Sequence, residues 1–470
     1  MRRAVIAVVT ACLLVTACAT SRDAATPAAV QVPTVQASLT RDGDVWTLDY
    51  EFDRDAPAWA FNRSALIMDS REAWRPRDWR VETPGVAIER IGSWDVLRST
   101  DGGPVPRKVR LSVTPKSETL EADYSILTFT DGSVAFPASQ FEVFPLPSLE
   151  AAQRELTDDE MTASERLTFR DLNGQVLFQG QRWDSVNTDN GESYVLFGQA
   201  QVHEGERLVT VVDPELPTWI SAAIEGTAPR IADYYARRLG PGETERPMVM
   251  AAWKGSTEGI VSMGGSVMPG TIVMVFEGKR LLEPSDDFMS MIGWFTGHEE
   301  AHFWLGQTVA YESDRDAWIT EGGADMMAIR ALTALDPSYH QNAKLQEEVD
   351  DCIRLADDSI NTVAERGEHR ARYACGALFA MAAEGVQSRK DGGDWFDFLK
   401  GLIDANREDR IITADEWLDH LDAAGGSPAL RAGIEALLTN GAADPKAAVA
   451  NILSEGGVAH RIEGERVLLE

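Results

Sequence analysis

His298-Glu299-Glu300-Ala301-His302 places two imidazoles four residues apart, and residues at that spacing share one face of a helix. Upstream, Phe288, Met291, Ile292 and Phe295 form an apolar stripe whose continuation runs through both histidines, so the helix is predicted to turn them inward. Two imidazoles on one face can meet a single metal ion, and Glu299, beside the first, can act as a base toward water. With seven histidines in 470 residues, this pattern is expected by chance about 0.01 times. The competing explanation is a pair of satisfied core histidines, and it must also account for Glu321, nineteen positions after His302. Zinc in a hydrolytic site takes three protein ligands and leaves a fourth position open. Thr320 is an N-cap residue type, so Glu321 is predicted to open a second helix, where it can be the third ligand. Asp325, one turn further, shares its face and can accept a hydrogen bond from the far nitrogen of a ligating histidine, which fixes the tautomer.

Working outward, the period of the sequence changes once. Before about residue 212 it is two: Trp46, Leu48, Tyr50 and Phe52 alternate with Val45, Thr47, Asp49 and Glu51, and Val109, Leu111 and Val113 repeat the pattern. Further strands are predicted within Tyr124–Phe129, at Val176–Phe178 and at Tyr194–Phe197, with Asp42-Gly43, Asp101-Gly102 and Asp131-Gly132 as turn signals. Short strands with frequent turns point to a β-sandwich over 38–212. The polar stretch from Ser148 to Asp171 reads as helix or connector. Near Pro217 the period lengthens: Trp219, Ile220, Ala223, Ile231, Tyr234 and Tyr235 fit a helix closed by Gly240-Pro241-Gly242. Met248–Trp253 reads as a buried strand, 255–270 as a glycine-rich loop, Thr271–Phe276 as an edge or sheet strand, and nearly everything from Phe288 to about Asn451 as helix. The expected organisation is α+β multidomain, with divisions at 213–335 and 336–470.

The two motifs together resemble the zinc signature of gluzincin metallopeptidases of the alanyl and glycyl aminopeptidase type: HExxH, eighteen residues, then a glutamate within a Trp-x-x-Glu-Gly stretch, here Trp318 to Gly322. The resemblance is specific over about Val261–Ala383. It implies a thermolysin-like catalytic domain after the β-sandwich, a C-terminal α-helical domain closing the cleft, and one Zn2+ per chain held by His298, His302 and Glu321. It also implies that Tyr373, in Tyr373-Ala374-Cys375-Gly376-Ala377, donates a hydrogen bond to the developing oxyanion. Family members carry a Gly-Ala-Met-Glu-Asn strand whose glutamate holds the substrate's free amine. The comparable stretch, Gly264-Gly265-Ser266-Val267, is the expected substrate-binding strand, but Val267 falls at the glutamate position and a valine cannot pair with an ammonium. Glu258 and Glu277 are the nearby carboxylates that can substitute.

The start of the chain reads as an address. Arg2 and Arg3 precede an apolar run from Ala4 to Val15, as in a secretory signal. Val15-Thr16-Ala17-Cys18 resembles the lipobox of bacterial lipoproteins, which implies a signal peptide at 1–17, lipidation of Cys18 and a Thr/Ala/Pro-rich tether over 18–37. Acyl chains hold a protein at a membrane without spanning it. An ordinary signal peptide that happens to hold a cysteine is the alternative. For Cys352 and Cys375, a disulfide in an oxidising periplasm and two separate buried thiols are equally compatible with the sequence.

The remaining composition works by exclusion. The formal net charge of −31 opposes nucleic-acid binding, and no apolar run after the first twenty residues is long enough to span a bilayer. Asp404, Asn406, Glu408 and Asp415 imitate a calcium loop, but Asp409 occupies the position that needs glycine. No Gly-x-Ser-x-Gly elbow or phosphate-binding loop occurs. The expectation is a lipid-anchored, periplasm-facing zinc metallopeptidase acting on peptides or proteins, with the outer membrane slightly favoured and doubtful aminopeptidase specificity. Its rivals are an inactive envelope scaffold that retains the gluzincin fold and a zinc hydrolase of another substrate class.

Overall fold

A computed structural model describes residues 34–470 apart from 122, 190 and 245. The signal-like start and Cys18 lie outside the described residues. The last residues of the expected tether do not: Val35–Asp42 is a strand, paired antiparallel with Val45–Phe52 through a turn at Gly43.

Period-two sequence becomes sheet. Trp46, Leu48, Tyr50 and Phe52 all point into the core of a six-stranded sheet that also holds Lys108–Val113. A four-stranded and a five-stranded sheet complete the N-terminal β region. Its core is dense in aromatic rings, with Phe52 stacked on Trp59 at 4.0 Å between centroids. The polar stretch read as helix or connector is corrected in its second half. Glu165–Asp171 is a strand that buries Leu167, Phe169 and Asp171 and pairs in parallel with Val35–Asp42. Short 3-10 turns at Leu149–Gln153 and Asp158–Met161 precede it.

A second five-stranded sheet carries the site. Its order is 202–204, 209–212, 248–253, 271–277, 262–268. Val202–Glu204 pairs with Val209–Val212, which pairs in turn with Met248–Trp253, so this sheet starts before residue 213. Thr271–Glu277 is an interior strand, because the glycine-rich segment expected to be a loop forms an antiparallel edge strand, Ser262–Met268, beside it. Two glycines disguised that strand. One face of the sheet packs against the N-terminal region through Leu127, Leu177 and Leu196 against Met248, Met250 and Val273. The other faces the helix Thr218–Leu239 and the helical core.

The remainder is helical, as its period implies: 286–301, 318–335, 341–355, 370–391, 395–405, 414–424, 428–440 and 445–456, ending in a hairpin over 460–469. Cys352 and Cys375 are joined by a disulfide that ties 341–355 to 370–391. No described helix is long and apolar enough to cross a membrane.

Candidate metal centre

Three helices bring the site together. Asp286–Ala301 starts on an N-cap bond from the Phe288 N–H to the Ser285 hydroxyl, with Asp286 and Asp287 in its first turn. Its apolar face differs from the expected stripe. Ile292 and residues 296–301 are buried, whereas Met291 faces solvent. The helix ends at Ala301, so His302 sits at its C-cap, still one turn below His298. The second helix, Trp318–Leu335, begins earlier than expected. Ala317 is its N-cap, and the Thr320 hydroxyl donates to the Ala317 carbonyl from inside the first turn. Buried Trp318 anchors that turn, which leaves Glu321 at the helix start. The third helix, Arg370–Asp391, carries Tyr373.

Backbone contact sets the spacing of the last two. A Cβ on Gly322 would lie 2.2 Å from the backbone of Gly376, and one on Gly376 would lie 2.3 Å from the Trp318 carbonyl oxygen. Glycine beside Glu321 and glycine three residues after Tyr373 are therefore what let the two helices press together.

His298, His302 and Glu321 converge. The two Nε2 atoms are 3.2 Å apart, and Glu321 Oε2 lies 3.4 Å from one and 3.5 Å from the other. The far nitrogens are already used: His298 Nδ1 meets Asp325 Oδ1 at 2.8 Å, and His302 Nδ1 meets the Leu305 carbonyl at 2.9 Å. Both acceptors require a proton on Nδ1, so in the neutral form that binds a metal the two Nε2 lone pairs and the carboxylate aim at one another. Without a metal, a proton on Nε2 facing the Glu321 carboxylate fills the same gap. Donors arranged tetrahedrally about zinc at roughly 2.0–2.2 Å stand about 3.3–3.6 Å apart, close to the 3.2–3.5 Å seen. The three residues can hold a metal ion.

The surroundings are charged in a definite pattern. Asp325 is fully buried, and its second oxygen faces Arg370 Nη1 at 3.5 Å; Arg370 also reaches Glu348 and Asp351. Burial opposes charge on His298, but Asp325 and Glu321 outweigh it and push its pKa up. Burial would raise Glu321, but His302 and His298 hold it well below the usual carboxylate range. Glu299 is raised by burial, against the pull of both histidines. Burial and the Glu321 carboxylate push the Tyr373 phenol up, and its ring lies against His298 at 5.6 Å between centroids.

Glu299, Tyr373, Gly265, Ser266 and Val267 line the same cleft of about 620 Å³ as the three donors. Gly264 belongs to the same edge strand and is exposed. The suspected substitutes for the missing glutamate do not reach the cleft. Glu258 pairs with Lys279, and Glu277 accepts from the Thr257 hydroxyl at 2.6 Å. Sequence reasoning missed Tyr124, whose hydroxyl donates to the Val267 carbonyl at 3.2 Å from 143 positions away, and Gln307. No local signal marks Tyr124. Arg370, one helical turn before Tyr373, was within reach of a periodicity argument.

Comparison with solved structures places this architecture. An aminopeptidase N family protein from Idiomarina loihiensis superimposes with a TM-score of 0.62 at 12% identity, covering 87% of this chain and 76% of that one. Leukotriene A4 hydrolase from Saccharomyces cerevisiae does so at 0.50 and 12%, covering 87% and 68%. Neither a family model nor a curated protein matches the sequence. The chain shares the fold of these two structures, an α+β multidomain arrangement with the β-rich region first and helices last.

Proposed function

We propose that this chain is a zinc peptidase of the bacterial cell envelope, anchored by lipid on Cys18 and facing the periplasm, that hydrolyses peptide bonds without requiring a free N-terminal amine. The observation that carries the reading is the meeting of His298, His302 and Glu321 in a cleft that Glu299 and Tyr373 also face. A pair of core histidines needs neither of those last two.

Zinc held by the three donors supplies Lewis acidity toward a carbonyl and toward water. The chain does the rest. Asp325 and the Leu305 carbonyl keep protons on Nδ1 of the two histidines. Glu299 takes a proton from the attacking water and returns it to the leaving amine, a role suited to a carboxyl whose pKa burial has raised. The Tyr373 hydroxyl donates to the carbonyl oxygen as it gains charge. Among the described residues lining the cleft, the carboxylates are Glu299 and Glu321, which leaves no third one to pair with an ammonium.

The test separates metal from chemistry. Protein purified without residues 1–18 is expected to carry about one zinc per chain. Glu299→Gln should keep that zinc while turnover of peptides falls by about 10²–10⁴. Unchanged turnover would move the base elsewhere, and a parent protein inert toward broad peptide libraries would favour the scaffold.

A further inference from the structure

The two candidate ligand histidines are held from behind in different ways. His302 Nδ1 meets a backbone carbonyl, that of Leu305 just after its own helix, at 2.9 Å. The fold itself fixes such an acceptor. His298 Nδ1 meets the Asp325 side chain at 2.8 Å, and a carboxylate can turn about its side-chain bonds unless its other oxygen is held. That oxygen faces Arg370.

Arg370 turns each of its guanidinium nitrogens to a different carboxylate. Nη1 faces Asp325 at 3.5 Å, Nη2 donates to Glu348 at 2.6 Å, and Nε donates to Asp351 at 2.9 Å. Asp325 and Glu348 are fully buried. A planar fork can serve acceptors in several fixed directions, whereas a lysine ammonium is a point charge. Glu348 and Asp351 lie on the helix Gln341–Leu355, and Arg370 opens the helix that carries Tyr373. The disulfide between Cys352 and Cys375 joins the same two helices. Burial and the charge of Asp325 push the Glu348 carboxyl up, and Lys344 and Arg370 pull it down. The two buried carboxylates therefore repel each other, and one guanidinium answers both.

A second route leads from the same helix to the same histidine. Lys344 pairs with Glu348 at 3.2 Å and stands 4.0 Å from the centre of the Trp294 ring. That ring lies against His298 at 5.6 Å between centroids. His298 is thus backed twice from 341–355, a helix outside the ligand set.

We propose that Arg370 is a positioning residue for the metal centre: it holds Asp325 in the orientation that fixes His298, so the 341–355 helix sets part of the zinc affinity. This rests on the proposed zinc site and on no particular substrate.

Zinc affinity of the full chain, read by competition with a chelator, tests it beside thermal unfolding of the metal-stripped protein, which reports on folding alone. Arg370→Met should weaken zinc binding by about ten- to a hundredfold. Made in an Asp325→Asn background, the same change should cost less than about twofold, because the residue through which Arg370 acts is already altered. Arg370→Lys keeps a charge beside Glu348 and so favours a folded protein, but without the fork it should still lose about tenfold. A purely structural arginine would lower the unfolding temperature and leave zinc affinity at the parental value, and that result overturns the proposal. Equal losses with and without Asp325→Asn overturn it too, while the ligand assignment stands. A parent that binds no zinc overturns both. Neither measurement involves a substrate, so inertness toward peptides would fail the peptidase reading and leave these affinities to decide.

Discussion

Two buried polar clusters, one in each half of the molecule, show how different the same ingredients can be. In the N-terminal region Arg75 is fully buried, but each of its polar contacts joins a donor to an acceptor: it donates to the Arg63 and Gln140 carbonyls and pairs with Asp95 at 3.3 Å. Phe61, Trp74 and Trp79 stack around the guanidinium. At the other cluster, His298, His302 and Glu321 bring three possible metal-ligand atoms within 3.5 Å of one another. The first cluster satisfies its charge internally and leaves Arg75 Nε alone without a partner. The second can hold a metal ion.

The sharpest way to break the comparison is to remove one member of each. Arg75→Met leaves buried Asp95 with Arg90 alone and takes the donor from the Arg63 and Gln140 carbonyls, and it is expected to cost about 3 kcal/mol of stability, with zinc content unchanged in the folded fraction. His302→Ala should lose most of about one zinc per chain. Elemental analysis beside denaturant unfolding separates the two, and full zinc retention in His302→Ala would sink the ligand assignment.

Gly376→Ala probes how far the second cluster depends on backbone. The new methyl meets the Trp318 carbonyl, which is backbone and cannot swing aside. Overpacking of about 1–3 kcal/mol should outweigh a helix-propensity gain of about 1 kcal/mol. Because the same shift moves Tyr373, kcat should fall while zinc stays. Equal kcat in the variant would show that the helices can part without consequence.

The smallest expected effect belongs to Glu165. Burial and neighbouring Glu142 push its pKa up to about 9, against a bond from the Val143 N–H at 2.8 Å. The folded state therefore holds a proton that the unfolded chain releases, and stability falls as pH rises from about 4.5 toward 9. Glu165→Gln removes that dependence. Unfolding curves should show a gain of about 2 kcal/mol at pH 8 and almost none at pH 4.5. The same gain at both pH values would mean that the carboxyl is not protonated in the fold.

What was legible in the sequence followed the reach of local periodicity. A four-residue helical step brought His298 and His302 together, and the step from Glu321 to Asp325 put ligand and hydrogen-bond partner on one face. Trp46 to Phe52 announced a half-buried strand. The segment Glu165–Asp171 has the same alternation, but it follows a polar run and its parallel partner lies about 130 positions away. Ser262–Met268 hid behind Gly264, which nothing crowds, and Gly265, which Phe295 and Glu299 keep small. The helix start at Trp318 was misplaced because a buried tryptophan, and no capping side chain, fixes it. The role of Tyr124 was invisible, since its contact with Val267 joins segments 143 positions apart, across the packing of two sheets.

The meeting of Gly322 and Gly376 has a genetic consequence. Any single-base change in a glycine codon that alters the residue introduces a side chain, because every other amino acid has a Cβ. At these two positions that atom would fall 2.2–2.3 Å from backbone on the neighbouring helix. Neither codon therefore has a mild neighbour in mutational space, and a change at one cannot be relieved by shrinking the other, which is already as small as a residue can be. Drift at this contact must proceed by moving whole helices, which carries Glu321 and Tyr373 with them.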